Sequence, residues 1–394
     1  MRMLRQSTLE PQHTRQPAVS CGSMPASSAS WYEVSNVGEV ESPALLIYPA
    51  RVEENLRRMI AVAGGVDRLR PHIKTHKLPP LVATHLAAGI RKFKCSTIAE
   101  AELLAQSSAP DVLLAYQPVG PNVGRVCRLV QTFPATRFSV LVDDPGIAGA
   151  LGRAATDSGI TIDVLVDLDV GMSRTGIVPG AAALSLYRQI AQTQGLRAAG
   201  LHAYDGHIRD SDPVARKEAC DRGFASVTAL REAILSSGLA VPSIVAGGTP
   251  TFPIHAQRSN VECSPGTCVL WDAGYSTILP DLDFLHAALV LTRVVSTPVG
   301  DRVCLDLGHK AIAAENPHPR VLFLNLEGAT AVGHSEEHLV VTIPGARPVP
   351  GTAIYGVPWH ICPTVALHSE AVVIDNGRAD ARWRVTGRER HLTV

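Results

Sequence analysis

From residue 42 onward, short apolar runs of strand character alternate with stretches of helical period. SPALLIYPARVEENLRRMIAVAGG (42–65) reads as a strand running into an amphipathic helix, with Val52, Leu56, Met59 and Ile60 on one stripe. The strand-like runs that follow are LRPHI (69–73), KFKCST (92–97), DVLLAY (111–116), RFSVLV (137–142), IDVLVDL (162–168), AAGLHAY (198–204), SIVAGG (243–248) and NVECSP (260–265). Helical patterns separate most of them, from LPPLVATHLAAG (78–89) to DPVARKEACDRGFASVTALREAILSSG (212–238). Such alternation predicts parallel βα units, and eight strands close a barrel, so the expected fold is α/β, a (β/α)8 TIM barrel. The rival, a doubly wound open sheet, lacks a GxGxxG after an early strand.

Past residue 285 the texture changes. Pro and Gly increase, long helical patterns vanish, and β-rich runs appear, among them FLHAALVLTRVVS (284–296), RVCLDL (302–307) and EEHLVVTI (336–343). This predicts a C-terminal all-β domain. The division expected is a barrel over 46–285 and a β domain built from 31–45 together with 286–394. Residues 1–30, polar and rich in Ser, Pro and Gln, read as a disordered extension without the apolar core of a secretory signal.

Composition narrows the function. At 394 residues and 46% hydrophobic, the chain is ample for a large core. Lys+Arg and Asp+Glu balance at 36 each, so no basic field invites nucleic acid and the expected partner is a small molecule. No apolar run approaches the length of a membrane span. Eight scattered cysteines without a CxxC pair argue against a disulfide framework and for a reducing cytoplasm.

The chemistry is expected at the C-terminal ends of the barrel strands. The first run delivers Lys74 among His72, His76 and Lys77, and a lysine with cationic neighbours can be tuned into an amine nucleophile. The fifth run ends in Asp169, Gly171, Met172, Ser173 and Arg174, and the sixth in His202, Tyr204, Asp205, Gly206 and His207. Gly247, Gly248 and Thr249 follow the seventh run, and Ser264, Pro265, Gly266 and Thr267 the eighth. Such glycine and hydroxyl loops cradle phosphate, at the strands where barrels commonly hold it. A lysine, an aromatic and a phosphate cradle so disposed describe a pyridoxal phosphate site. In the β domain, His360 and Cys362 of PWHICPT fall on one side of an extended segment, a half-site for a divalent metal such as zinc.

With these residues in place, the chain resembles the D-threonine aldolase / D-serine dehydratase family, fold-type III pyridoxal phosphate enzymes related to alanine racemase. The resemblance runs from about residue 40 to the C-terminus, on RPHIKTHK, KFKCSTIAEAE, DVGMSRTG, the YDGH stretch, GGTPT, SPGT and HICPT. It implies that Lys74 forms the Schiff base and that Arg174 approaches the cofactor's phenolic oxygen. His202 and Tyr204 would lie at the ring, and Gly247, Gly248, Thr249, Gly266 and Thr267 at the phosphate. His360 and Cys362 would hold the metal. Some family aldolases have Asp where this chain has Cys362; a thiolate favours zinc over manganese or magnesium and leans toward the dehydratase pattern.

The implied activity is a metal-assisted lyase of D-β-hydroxy amino acids. Retro-aldol cleavage to glycine and an aldehyde leads, with D-serine dehydration as the alternative; a non-catalytic cofactor-binding protein is the alternative from another class. His72, His76 and His207 are the expected bases for the β-hydroxyl, with packing beside the lysine as the other role for the first two. A racemase would need an opposing tyrosine, and Tyr355 is the only late one. The family also implies a homodimer, in which His309 and Lys310 would face the site across the interface.

Overall fold

Aliphatic and β-branched runs bounded by turn residues build two sheets in the computed structural model, which describes residues 30–298 and 300–394. The extension expected over residues 1–30 lies, apart from Ser30, outside the described residues. In chain order, β1 (Ala44–Ile47) comes first, and the barrel half follows with α1 (Pro49–Ala63), α2 (Pro79–Ala87), β2 (Lys92–Cys95), α3 (Ile98–Gln106), β3 (Asp111–Leu114), α4 (Pro121–Thr132) and β4 (Arg137–Val142). It continues through α5 (Pro145–Asp157), β5 (Ile162–Leu168), α6 (Ala181–Gln192), β6 (Leu196–Ala203), α7 (Pro213–Ser236), β7 (Ser243–Ala246), α8 (Phe252–His255), β8 (Glu262–Cys263) and α9 (Ala273–Ile278). Next come β9 (Ala288–Ser296), β10 (Arg302–Leu305), β11 (Val321–Phe323), β12 (Thr330–His334), β13 (Leu339–Thr342), β14 (Ala353–Pro358), α10 (Ile361–Leu367), β15 (Glu370–Asp375) and β16 (Arg378–Arg384).

Strands β2 to β8 form one parallel sheet in sequence order. Its interior is filled by Leu113, Leu141, Leu165, Ala199 and Val245, one from each of β3 to β7. The first strand expected, LRPHI, is reduced to two parallel bridges, Leu69 with Cys263 and His72 with Lys94. Arg70 N donates to Cys263 O (2.8 Å) and His72 N to Pro265 O (2.9 Å), while Pro71 O accepts from Lys94 N (2.9 Å). Pro71 has no N–H to give back to β2, which explains why this segment falls short of a regular strand. It nevertheless closes the sheet on itself. The expected eightfold repeat of helices is also incomplete, since a single turn, α8, follows β7.

In the second sheet the order is β12-β13-β10-β9-β1-β15-β16, with β14 pairing β9 and β11. The early strand β1 lies between β9 (antiparallel) and β15 (parallel), so the chain's first strand belongs to the C-terminal sheet. The seven described cysteines are free. Among the described residues, no helix is long and apolar enough to cross a membrane.

The seam is clamped by charge. The Arg70 guanidinium reaches Asp111 of β3 (2.5 Å) and Glu262 of β8 (2.7 Å), and only 6% of its side chain is exposed. Removing one member of a buried pair strands the others, so Arg70→Met is expected to lower unfolding free energy by about 3–5 kcal/mol. Arg70→Lys should recover only part, because one ammonium cannot fork to two carboxylates. Urea unfolding followed by circular dichroism measures both.

Candidate active site

The strand ends surround a cavity of about 600 Å³ lined by His72, Lys74, Lys94, Arg174, His202 and Tyr204, with Asp167, Tyr116 and others completing the wall. Lys74 lies in a 3-10 turn, Ile73–Thr75, rather than at a strand end. The His72 ring starts that turn by accepting from Lys74 N through Nδ1 (3.2 Å). Tyr204 stands at the centre. Lys74 Nζ, Lys94 Nζ and Arg174 Cζ lie 5.7, 5.4 and 5.2 Å from its ring centroid. The loop that carries Arg174 is pinned by Asp169, whose carboxylate accepts from Gly171 N (2.9 Å) and Ser173 N (3.0 Å).

Beyond this lining, the Thr249 hydroxyl accepts from both Gly266 N (3.2 Å) and Thr267 N (3.1 Å), tying the seventh and eighth strand-end loops together. Gly247 has a φ of +79°, and a Cβ there would come 2.6 Å from the His255 ring. A Cβ on Gly248 would come 3.0 Å from the Tyr204 ring. The two backbone N–H groups converge on one hydroxyl, and an anion that displaced the Thr249 hydroxyl would find both donors aimed at it beside positions that tolerate no side chain.

His202 donates or shares a proton through Nδ1 with Asp167 Oδ1 (2.6 Å), and its buried Nε2 has no partner. With the carboxylate holding the Nδ1 proton, Nε2 presents a free lone pair. Burial lowers the His202 pKa, Lys94 adds to this, and Asp167 opposes it. Burial and then the positive charges of Lys74 and Lys94 take His72 well below the ordinary histidine value, so it is neutral. Because His72 Nδ1 accepts a backbone N–H, its proton sits on Nε2, which makes it a donor rather than a base.

Two of the expected bases are elsewhere. His76 is buried under the turn, its Nδ1 accepting from Leu78 N (3.2 Å) and its ring stacked on His85 at 5.4 Å. It packs where a small apolar core ends and does not line the cavity. His207 is exposed on the outer side of the loop, beside Gly171. Within the chain, His309 lies against His334, and Lys310 pairs with Glu336 (2.7 Å) and Glu337 (3.1 Å), away from Lys74. Tyr355 is buried, its hydroxyl accepting from Val34 N (3.2 Å).

His360 and Cys362 do not share an extended strand. His360 caps α10 and Cys362 lies in its first turn, because the chain bends into a helix after Pro358. Burial pushes the Cys362 thiol up, but the neighbouring His360 and then Lys74 prevail and hold it below the ordinary thiol value. Burial pushes His360 down, but Cys362 and Glu315 outweigh it and raise it to about 9. Glu315 Oε1 holds the His360 ring at Nδ1, 2.5 Å away. Cys362 Sγ sits 3.3 Å from Thr75 Oγ1 and 3.7 Å from Thr267 Oγ1. A thiol and an imidazole so joined, the imidazole oriented by a carboxylate, suit a zinc-like cation.

Residues 47–272 match the alanine racemase N-terminal domain, and residues 287–374 match a putative serine dehydratase domain. The D-threonine aldolase of Arthrobacter sp is 33% identical over 361 residues, covering 89% of this chain and 94% of that one. The chain belongs to the D-threonine aldolase / D-serine dehydratase family. A D-threo-3-hydroxyaspartate dehydratase of Delftia sp. (strain HT23) is 29% identical over 272 residues, covering 66% of this chain and 68% of that one. The crystal structure of D-threonine aldolase from Filomicrobium marinum superposes with a TM-score of 0.83 at 29% identity, covering 92% of this chain and 99% of that one.

The family motifs did not point to Lys94, Asp167 or the network behind Tyr204. The signal available for the first two was a charged position within a barrel strand, Lys94 in KFKC and Asp167 in IDVLVDL. In the network, Asp205 accepts from Thr251 Oγ1 (2.7 Å) and pairs with His255 Nε2 (2.8 Å), with Cys220 Sγ 3.4 Å from the same nitrogen. Asp205, Cys220 and His255 have the atoms of a metal site. Arg258 already places its guanidinium 2.9 Å from His255 Nδ1, so the positive charge there is built in and the cluster is a hydrogen-bonded brace for the Gly247–Thr251 turn.

Burial pushes the Asp205 carboxyl up, but His255 and Thr251 prevail and hold it below the ordinary value. A carboxyl depressed in the folded state stabilises above its unfolded pKa of about 3.9 and loses that contribution as pH falls toward the folded value. Asp205→Asn is therefore expected to cost about 1.5–3 kcal/mol at pH 7, with the gap to the parent closing below about pH 4. Urea titrations across pH read this out.

Proposed function

We propose that this protein is a pyridoxal phosphate- and divalent metal-dependent lyase that cleaves D-threonine-type β-hydroxy amino acids to glycine and an aldehyde. One observation carries the reading. Cys362 of α10 touches Thr75, next to Lys74, and Thr267 of the strand-end loop, so the candidate lysine, cradle and soft-metal pair lie together. The relatives named D-threonine aldolase point the same way.

The residues present fit both groups. Lys74 would hold the cofactor covalently, Gly266 and Thr267 its phosphate, Arg174 its phenolic oxygen, and Tyr204 would lie beside its ring. His360 and Cys362 would hold the cation. When bound, the cofactor supplies an electron sink at Cα and the cation a Lewis acid for the β-hydroxyl.

The chain's own groups handle the proton. His202 is the base that the cavity offers, its Nε2 lone pair free and its ring fixed by Asp167. It takes the β-hydroxyl proton as the Cα–Cβ bond breaks and the oxygen becomes the aldehyde carbonyl; a proton then returns to Cα to complete glycine. The buried Tyr355 is not disposed to serve as the second acid/base of a racemase.

Incubation with cofactor and D-threonine should yield glycine and acetaldehyde, lost with EDTA and restored by zinc or manganese. 2-Oxobutanoate with ammonia would overturn cleavage in favour of dehydration, the activity for which the Delftia relative is named. Lys74→Ala should abolish the cofactor's visible band. His202→Gln should keep the band and lower kcat by about 10²–10⁴-fold, the range for loss of a general base.

A further inference from the structure

The cavity carries one cation to which the retro-aldol reading gives no task. Lys94 is 3% exposed and lies in register with Leu113, whose side chain fills the barrel interior. Its Nζ lines the same cavity as Lys74 and is hydrogen-bonded with Ser264 Oγ at 2.8 Å. Among the described residues it forms no ion pair. Its one hydrogen bond goes to that hydroxyl; the Tyr204 ring lies 5.4 Å away, and the carboxylates of Asp167 and Asp205 act on it without bonding it. A buried ammonium so placed has donors to spare for an acceptor on whatever fills the cavity. Burial first, and then Lys74, brings its pKa down to about 7, so the proton is held loosely at neutral pH.

Its depth decides which acceptor. Lys94 bridges His72, and Lys74 follows two residues further toward the mouth, so Lys94 lies a layer below. Its partner Ser264 precedes the Gly266 and Thr267 cradle on the same strand exit. A pyridoxal ring is tied to lysine through the carbon para to its ring nitrogen and to the cradle through its phosphate arm. With the phenolic oxygen at Arg174, the remaining acceptor is that ring nitrogen, directed away from Lys74.

We propose that Lys94, steadied by Ser264, donates the hydrogen bond to the pyridine nitrogen of pyridoxal phosphate. This rests on the cofactor reading above. With an amine and no carboxylate at that nitrogen, one proton is shared between Lys94 and the ring, and the ring withdraws electrons less strongly than a full pyridinium.

The test is nitrogen-15 NMR of protein reconstituted with ring-labelled cofactor. The parent should show a hydrogen-bonded, neutral pyridine. Lys94→Met should move the resonance toward that of an unbonded pyridine and weaken cofactor binding roughly tenfold or more; Lys94→Arg should restore the parent position. An identical resonance in the parent and Lys94→Met, or a pyridinium signal in the parent, overturns the proposal. If Lys94→Met does not fold by circular dichroism, Ser264→Ala replaces it: a displaced resonance is expected, and an unmoved one overturns the assignment. Failure of the parent to form a visible band removes the cofactor reading and this inference together, whereas a band with an unresponsive nitrogen removes this inference alone.

Discussion

A parallel barrel closes only when its last gap holds a segment with hydrogen-bond partners on both sides. Here that segment is Leu69 to His72, with a proline in it. Its two N–H donations to β8 and its one acceptance from β2 are a thin closure. The Arg70 fork to Asp111 and Glu262 makes up the difference by binding the seam to strands on either side. Lys74 stands on the turn that begins where the seam ends, so its position is set by the barrel's closure.

The seam also explains the electrostatics of the cavity. It brings Lys74 beside Lys94 across the His72–Lys94 bridge, and the loop after β5 adds Arg174. Lys74, Lys94 and Arg174 face one tyrosine across a cavity whose carboxylates are Asp143 and Asp167, so positive groups outnumber negative ones by one. Such a cavity favours an anionic occupant, and a phosphorylated cofactor with a phenolate supplies that charge. The brace of Asp205, Thr251 and His255 keeps the opposite wall, with its Gly247 turn, in place.

Most of the architecture was legible in the sequence, because burial on both faces of parallel strands writes itself as apolar runs separated by helical periods. What escaped were features that depend on partners far along the chain. LRPHI has strand composition, yet whether Pro71 leaves a ladder or two bridges depends on β2 and β8. His76 and His207 sit near key residues in sequence, but a tight turn buries one and a loop exposes the other. Conversely, Lys94 and Asp167 each share a strand with a second charge of the same sign, Lys92 and Asp163, and which of the two faces the cavity is settled only once the strand's inward face is known. In HICPT the pairing of His360 with Cys362 is readable from residue type, while its helical setting required the bend after Pro358.

The placement of β1 has a consequence for how the protein is made. Leu45 pairs with Ala371 and Val290, so the first strand synthesised lacks both neighbours until almost the whole chain has left the ribosome. At roughly 5–20 residues per second that is a wait of tens of seconds. During it the barrel segments can already assemble, since each parallel strand pairs with the next in sequence. The sheet leading into His360 and Cys362 is thus the last part to be completed. An apolar strand left unpaired for that long is a ready site for chaperone binding or for pairing with another nascent chain. Assembly of the sheet that leads into His360 and Cys362 is in this way coupled to the end of translation.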